Sequence, residues 1–196
     1  MNKNPEYVEI DGEKYKINTD FRYAIECNRI AEDESIGDME RALAIIYVLF
    51  GEKGINAYDH HEKLLRMAKK YLSCGKEIEA NNEKPDMDYI EDMDYIETSF
   101  QSDYGINLED TEMHWWKFNR LMNGLSNSEL GDCCILNRVR NLRNYDVKDI
   151  KDPKEKQKIM EAKKQVALKK YQKKPTEKQR ESMNNLLEQL GIKKEG

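Results

Sequence analysis

The sequence predicts a mainly α protein: a helical body with a small N-terminal β-hairpin and a charged C-terminal helical tail. Three observations lead there. Apolar side chains recur at three- and four-residue spacings through several long segments, the pattern of one helical face. The 196-residue chain has only four Pro and ten Gly, few breakers for its length. Strict apolar–polar alternation is confined to residues 7–17.

The elements follow in order. Tyr7-Val8-Glu9-Ile10 and Lys14-Tyr15-Lys16-Ile17 alternate around Asp11-Gly12, residue types that suit the positive φ angles of a tight turn. A lone hairpin is marginal in water, so it must lie against helices. Thr19 or Asp20 can cap a first helix reaching about Ala31, with Phe21, Ala24 and Ile25 inward. A second helix opens at Asp38. Met39, Leu43, Ile46 and Phe50 line one side, Ala42, Ile45 and Leu49 widen it, and Gly51 and Gly54 are expected to end it. A third spans about Ala57 to Leu72, inward through Leu64, Leu65, Ala68 and Leu72, and Gly75 stops it.

Residues 76–86, KEIEANNEKPD, turn polar and read as a linker inside the body. Tyr89, Met93, Ile96 and Phe100 then form a helical stripe that ends in the turn Tyr104-Gly105-Ile106-Asn107. Another helix is expected from about Glu109 to Asn123, with Leu108, Trp115, Phe118, Met122 and Leu125 inward. A short one, roughly Ser128–Asn141, carries Leu130, Cys134, Ile135 and Val139. Pro153 suits the first turn of a helix whose stripe, Ile159, Ala162 and Val166, is thin. Lys173-Lys174-Pro175 interrupts it. Thr176 with Gln179 forms a capping box for a last helix, with Met183, Leu186, Leu187 and Leu190 on one face and Gly191 at its end. This divides the chain into a body, 1–150, and a basic amphipathic tail, 151–196.

Composition narrows the function. The longest apolar run, Ala42–Phe50, is about half of the roughly 20 residues a bilayer-spanning helix needs, and the first residues lack the apolar core of a signal peptide. A cytoplasmic protein without a membrane partner is expected. Cys27, Cys74, Cys133 and Cys134 contain no CxxC pair, so free thiols in a reducing compartment are expected. Charge is polarised: residues 1–112 hold 13 basic and 27 acidic side chains, residues 113–196 hold 20 and 11. Such a chain can fold its tail onto its body or offer two surfaces to differently charged partners.

No reaction chemistry is organised in the sequence. His60, His61 and His114 have no HExxH spacing. A metal set from His60, Cys74 and His114, or a nucleophile and base from Cys133 or Cys134 with His114, would need a coincidence of folding. Neither GxxxxGK[ST] nor GxGxxG is present, and the carboxylate pairs fit a solvated helix face. No catalytic, cofactor or metal residue is assigned, and the chain is expected not to be an enzyme. The lysines of 151–174 come without Arg and with Tyr171 as their only aromatic, so nucleic-acid recognition is disfavoured against a solvated or protein-binding helix. In Met113-His114-Trp115-Trp116-Lys117-Phe118, helical geometry sends Trp115 and Phe118 inward and Trp116 about 100° away. Burial of Trp116 inside the chain is the simpler reading; the alternative makes it an anchor for a partner. Trp116, Met183, Leu186, Leu187 and Leu190 are the partner-contact candidates.

Asp94-Tyr95-Ile96, Ser99-Phe100, Asp103-Tyr104-Gly105-Ile106-Asn107-Leu108, the Met113–Phe118 string and Gly124-Leu125 together resemble the bacteriophage gene fifteen product family of long-tailed phages of Gram-positive bacteria. The resemblance covers most of the chain, hairpin included, and thins after about Lys174. It implies a gene placed between the major tail protein and the tape measure, as for tail-assembly chaperones. These bind the tape-measure protein in the host cytoplasm, often beside a second small chaperone, and are absent from the finished virion. The family carries no attributed catalytic residues. The expected function is therefore a tail-assembly chaperone. The alternatives are a virion structural or connector component and, third, a nucleic-acid-binding regulator that uses the basic tail. Self-association is compatible with all three.

Overall fold

A computed structural model describes residues 4–76, 85–127 and 133–171. Among them are a two-stranded antiparallel hairpin and seven α-helices. Strands β1 (Tyr7–Ile10) and β2 (Glu13–Lys16) pair in the register Val8 to Tyr15, joined by Asp11 and Gly12 with φ of 52° and 85°. This is the predicted hairpin, and its inner side chains Ile10, Tyr15 and Ile17 are buried. The Tyr15 hydroxyl donates to Glu13 Oε2 at 2.6 Å and lies 2.7 Å from His60 Nδ1. With the one hydroxyl proton given to Glu13, His60 Nδ1–H is the donor to the phenol oxygen.

Helices α1 (Phe21–Ala31), α2 (Asp38–Ile55) and α3 (His61–Leu72) pack in sequence, each against the next, and the hairpin lies on α2 and α3. Asp20 caps α1 through its carboxylate, and Phe21, Ala24 and Ile25 are buried as expected. At the start of α2 the Glu40 carboxylate reaches back to the Gly37 N–H at 2.8 Å. A single 3-10 turn, Tyr58–His60, leads into α3, so that helix begins four residues later than its apolar pattern suggests. Cys74 and Gly75 take positive φ beyond α3, and the Gly75 N–H returns to the Lys70 carbonyl at 2.8 Å.

The second half comprises α4 (Met93–Tyr104), α5 (Trp115–Asn123), α6 (Ile135–Asn144) and α7 (Pro153–Val166). α5 packs on α1, α4 on α5 and α6, and α7 on α6. Gly105, with φ of 64°, ends α4 in the left-handed conformation a glycine adopts without strain. Pro153 occupies the first turn of α7 and Asp152 caps it; α7 buries no residue fully, in keeping with its thin stripe. Leu168, just beyond, is buried. A salt bridge inside the fold fixes this end. Arg143 donates to both carboxylate oxygens of Asp92 at 2.6 and 2.7 Å, to the Asp86 carbonyl at 2.8 Å and to the Val166 carbonyl at 2.6 Å.

Several expectations need correction. Gly51 interrupts α2 as expected, with a non-helical φ of 63° and ψ of −157°, but a further helical turn follows it to Ile55. Gly54 permits that turn to pack, because a Cβ there would sit 2.5 Å from Phe50 Cβ. Met39, expected inward, is 72% exposed, because it extends beyond the core at the helix N-terminus. Leu43, Leu65, Leu72, Met122 and Ile135 are half-buried rather than central, and Leu136 takes the inward place beside Ile135. The helix expected from Glu109 begins only at Trp115, for reasons given below. The helix expected from about Ser128 starts at Ile135 and continues to Asn144. Residues 77–84 of the linker, Leu130, and the last helix with Met183, Leu186, Leu187 and Leu190 lie outside the described residues. Pro85 and Asp86, the end of the linker, are described, and Asp86 accepts from Arg140 at 3.1 Å and Asn144 at 2.9 Å.

Candidate functional site

The most distinctive string, Met113–Phe118, sits where the two halves of the chain meet. Its first residues are held extended against the start of α1. Phe21 N–H donates to the Met113 carbonyl at 2.8 Å, and Trp115 N–H donates to the Thr19 carbonyl at 2.8 Å, an antiparallel bridge centred on Asp20 and His114. Asp20 Oδ2 also accepts the Met113 N–H at 2.9 Å. These backbone groups are committed outside any helix, which is why α5 cannot begin at Glu109. Arg22 adds to the restraint by donating to the Leu108 carbonyl at 2.5 Å and the Glu109 carbonyl at 3.1 Å.

His114 then starts α5. Its Nδ1 accepts the Trp116 N–H at 3.0 Å, the position of a helix cap, and its Nε2 lies 3.0 Å from the Pro5 carbonyl. A nitrogen that accepts from an amide carries no proton, so the ring is the neutral Nε2–H tautomer and donates to Pro5. Both ring nitrogens are thereby engaged with backbone groups.

The two tryptophans share one task. Trp115 Nε1–H donates to the Leu72 carbonyl and Trp116 Nε1–H to the Tyr71 carbonyl, each at 2.9 Å. Those carbonyls belong to the last turn of α3, where the helix ladder runs out; the Tyr71 carbonyl also accepts the Cys74 N–H at 3.0 Å. Trp115 is buried in an aromatic cluster: Phe118 stacks on Phe21 at 4.5 Å and on Phe100 at 5.1 Å between centroids, and Tyr89 meets Trp115 edge-on at 5.7 Å. Trp116 is half-buried, stacked at 6.3 Å on Tyr71, and its ring edge approaches Gly75. Burial pushes the Tyr89 phenol up to about 12 and raises that of Tyr71 further.

The other residues of the resemblance serve the same junction. The Tyr104 hydroxyl donates to the Leu121 carbonyl at 2.8 Å, and the Asp103 carboxylate accepts the Ser126 N–H at 2.7 Å. The Ser99 hydroxyl accepts the Leu136 N–H at 3.1 Å, tying α4 to the first turn of α6. Sequence reasoning placed Trp115 and Phe118 correctly but gave no sign of the paired indole bonds, which depend on the α3 terminus 43 and 45 residues earlier. Among the described residues no group of three or more His, Cys, Asp or Glu could hold a metal ion, and no helix is long and apolar enough to cross a membrane. None of the four cysteines forms a disulfide among the described residues; burial pushes the Cys27 thiol up to about 12 and raises that of Cys74. At neutral pH these two are thiols rather than thiolates.

Fold and junction together define a small, mainly helical protein whose signature string knits its two halves. The sequence model of the family described as Bacteriophage Gp15 protein matches residues 1–168, and the chain belongs to that family. It is thus a bacteriophage protein. The match takes in the hairpin, the junction and α7, and ends at the buried Leu168. Neither a search of curated proteins nor one of solved structures gave a match.

Proposed function

We propose that this chain is a non-enzymatic tail-assembly chaperone that binds the tape-measure protein in the host cytoplasm and keeps it soluble until tail-tube subunits enclose it. Family membership carries the reading, because the resemblance described above implies a gene placed as for tail-assembly chaperones. Physical chemistry supports it. A tape measure is a long helical polymer whose exposed apolar stripes aggregate unless covered. Covering it calls for modest contacts repeated many times and readily displaced. A charge-polarised helical protein with an amphipathic tail suits that task, with the Met183, Leu186, Leu187 and Leu190 stripe as leading contact and Trp116 second. Trp116 could offer only part of its ring, since it is half-buried and its indole N–H is spent on Tyr71.

Co-expression with the tape-measure protein of the same phage tests the proposal. The expected result is soluble tape measure that co-purifies with this chain, and finished particles in which proteomics finds none of it. No binding to any tape-measure segment, together with abundance in virions, would replace the chaperone with a virion structural component.

A further inference from the structure

We propose that this chain associates head to tail with a second copy of itself: Met39 of one molecule, with the acidic start of α2 around it, seats in a groove between α6 and α7 of the next. This goes beyond the chaperone reading and does not rest on it.

The groove is apolar inside and basic at its rim. It encloses about 460 Å³, and Pro85, Val147, Met160, Ala167 and Leu168 supply its apolar wall. Because α7 buries no residue fully and Met160 is 54% exposed, that wall can take a further apolar side chain. The groups beneath it are already committed. Arg143 is spent on Asp92 and on the Asp86 and Val166 carbonyls, and the Asp86 carboxylate accepts from Arg140 and Asn144. Lys163 and Lys164 stand beside the apolar wall, on a helix with five lysines against two glutamates. The Lys163 ammonium donates to the Tyr145 carbonyl, a neutral group that leaves its charge in place.

Such a groove suits an apolar side chain set among carboxylates, and the chain carries one. Met39 is 72% exposed in the first turn of α2, between Asp38 and Glu40. Residues 32–40 hold Glu32, Asp33, Glu34, Asp38 and Glu40 and no basic residue. Lys170 pairs with Glu32 and Arg41 with Asp38, yet the Asp38 side chain remains 94% exposed. None of the described residues around the groove belongs to α1 or α2, so the knob of the same molecule does not fill it. Knob and groove are different surfaces, so the contact is heterologous. Each copy bound through one keeps the other open, and the assembly extends as a chain or closes as a ring. One seated side chain with flanking ion pairs buries far less than the roughly 1,200–2,000 Å² of a stable complex. The association is therefore weak, and salt screens it.

Two full-length variants test this. Met39→Asp removes the knob, and Lys163→Glu with Lys164→Glu reverses the rim of the groove; circular dichroism checks that both keep the fold. In sedimentation velocity at low salt, the parent should grow with concentration beyond the mass of two chains, and about 0.5 M salt should return it to one. Each variant alone should remain a single chain. Mixed in equal amounts, the two should form dimers and nothing larger, because the intact knob of one meets the intact groove of the other and no further pair is left. The photo-crosslinking residue p-benzoylphenylalanine in place of Met160 should join residues 32–40 of a second chain. A parent that stays a single chain at every concentration, variants that associate as the parent does, or a mixture without dimers each overturns the proposal. So does a crosslink from position 160 within one chain, or to any other segment of a second.

Discussion

Arg143→Met should destabilise the protein by about 3–5 kcal/mol, the cost of removing one partner from a buried ion pair. Asp92 is 1% exposed and Arg143 is nearly buried, so little water can replace the guanidinium at either carboxylate oxygen. The lost bonds to the Asp86 and Val166 carbonyls add less, since those groups lie nearer solvent. For a chain of this size each kcal/mol moves the melting temperature by roughly 2–4 °C, so the variant should melt about 6–20 °C lower. The double variant Arg143→Met with Asp92→Leu removes both charges, and should recover to within about 2 kcal/mol of the parent because no orphan charge remains. Urea unfolding followed by tryptophan fluorescence measures all three proteins. A single variant within 1 kcal/mol of the parent would refute the reasoning, because Asp92 would then be hydrated despite its position. A double variant as unstable as the single one would show that the pair matters through shape rather than charge.

Trp115→Ala should cost on the order of 3–5 kcal/mol in thermal or urea melts, and Trp116→Ala less, because the second ring is only half-buried; equal losses would mean the two rings are equally enclosed. His114→Ala, which removes the α5 cap and the bond to Pro5, should cost about 1–2 kcal/mol by the same melts. Acid should weaken the fold through two aspartates. Asp103 is held below the ordinary 3.8 chiefly by the Ser126 N–H. Burial alone would raise Asp88, but Lys170 and the Glu91 and Ile90 N–H groups outweigh it and lower it. A depressed carboxylate contributes stability that is full above its unfolded value and fades as pH falls through the folded one. Stability should therefore decline below about pH 4, and Asp103→Asn should flatten that decline in urea midpoints taken across pH 2–6. Cys27, with its thiol pushed up to about 12, should resist iodoacetamide at pH 7 until the protein is unfolded, as peptide mapping would show.

Local patterning made most of the fold legible. The Asp11-Gly12 turn, the Asp20 cap, the Gly105 stop and Pro153 in a first turn each act through their own few residues, and each stands where the sequence put it. What sequence could not show depends on distant partners. The stretch before Trp115 has helical periodicity, but Thr19 and Phe21 take its backbone groups into a bridge. Gly51 reads as a terminator and does break the helix, but a further turn resumes beyond it to Ile55, which the glycine alone does not announce. The junction itself was half legible: the inward positions of Trp115 and Phe118 follow from spacing, while the carbonyls awaiting the indoles belong to a helix end that only the folded chain brings near.

Those two indole bonds have a mechanical consequence. Adjacent residues grip adjacent carbonyls, so α5 cannot slide along α3 by one residue without exchanging or losing both contacts at once. The joint behaves like a two-toothed ratchet rather than a hinge. Tension applied to the chain beyond Gly75 meets the carbonyls that the tryptophans hold, and passes into α5 and, through the Thr19 and Met113 bonds, into α1 before it can unwind α3. A pull on either side of residues 76–86 is therefore borne by the whole body, and the first element to yield should be one outside that circuit, such as α7.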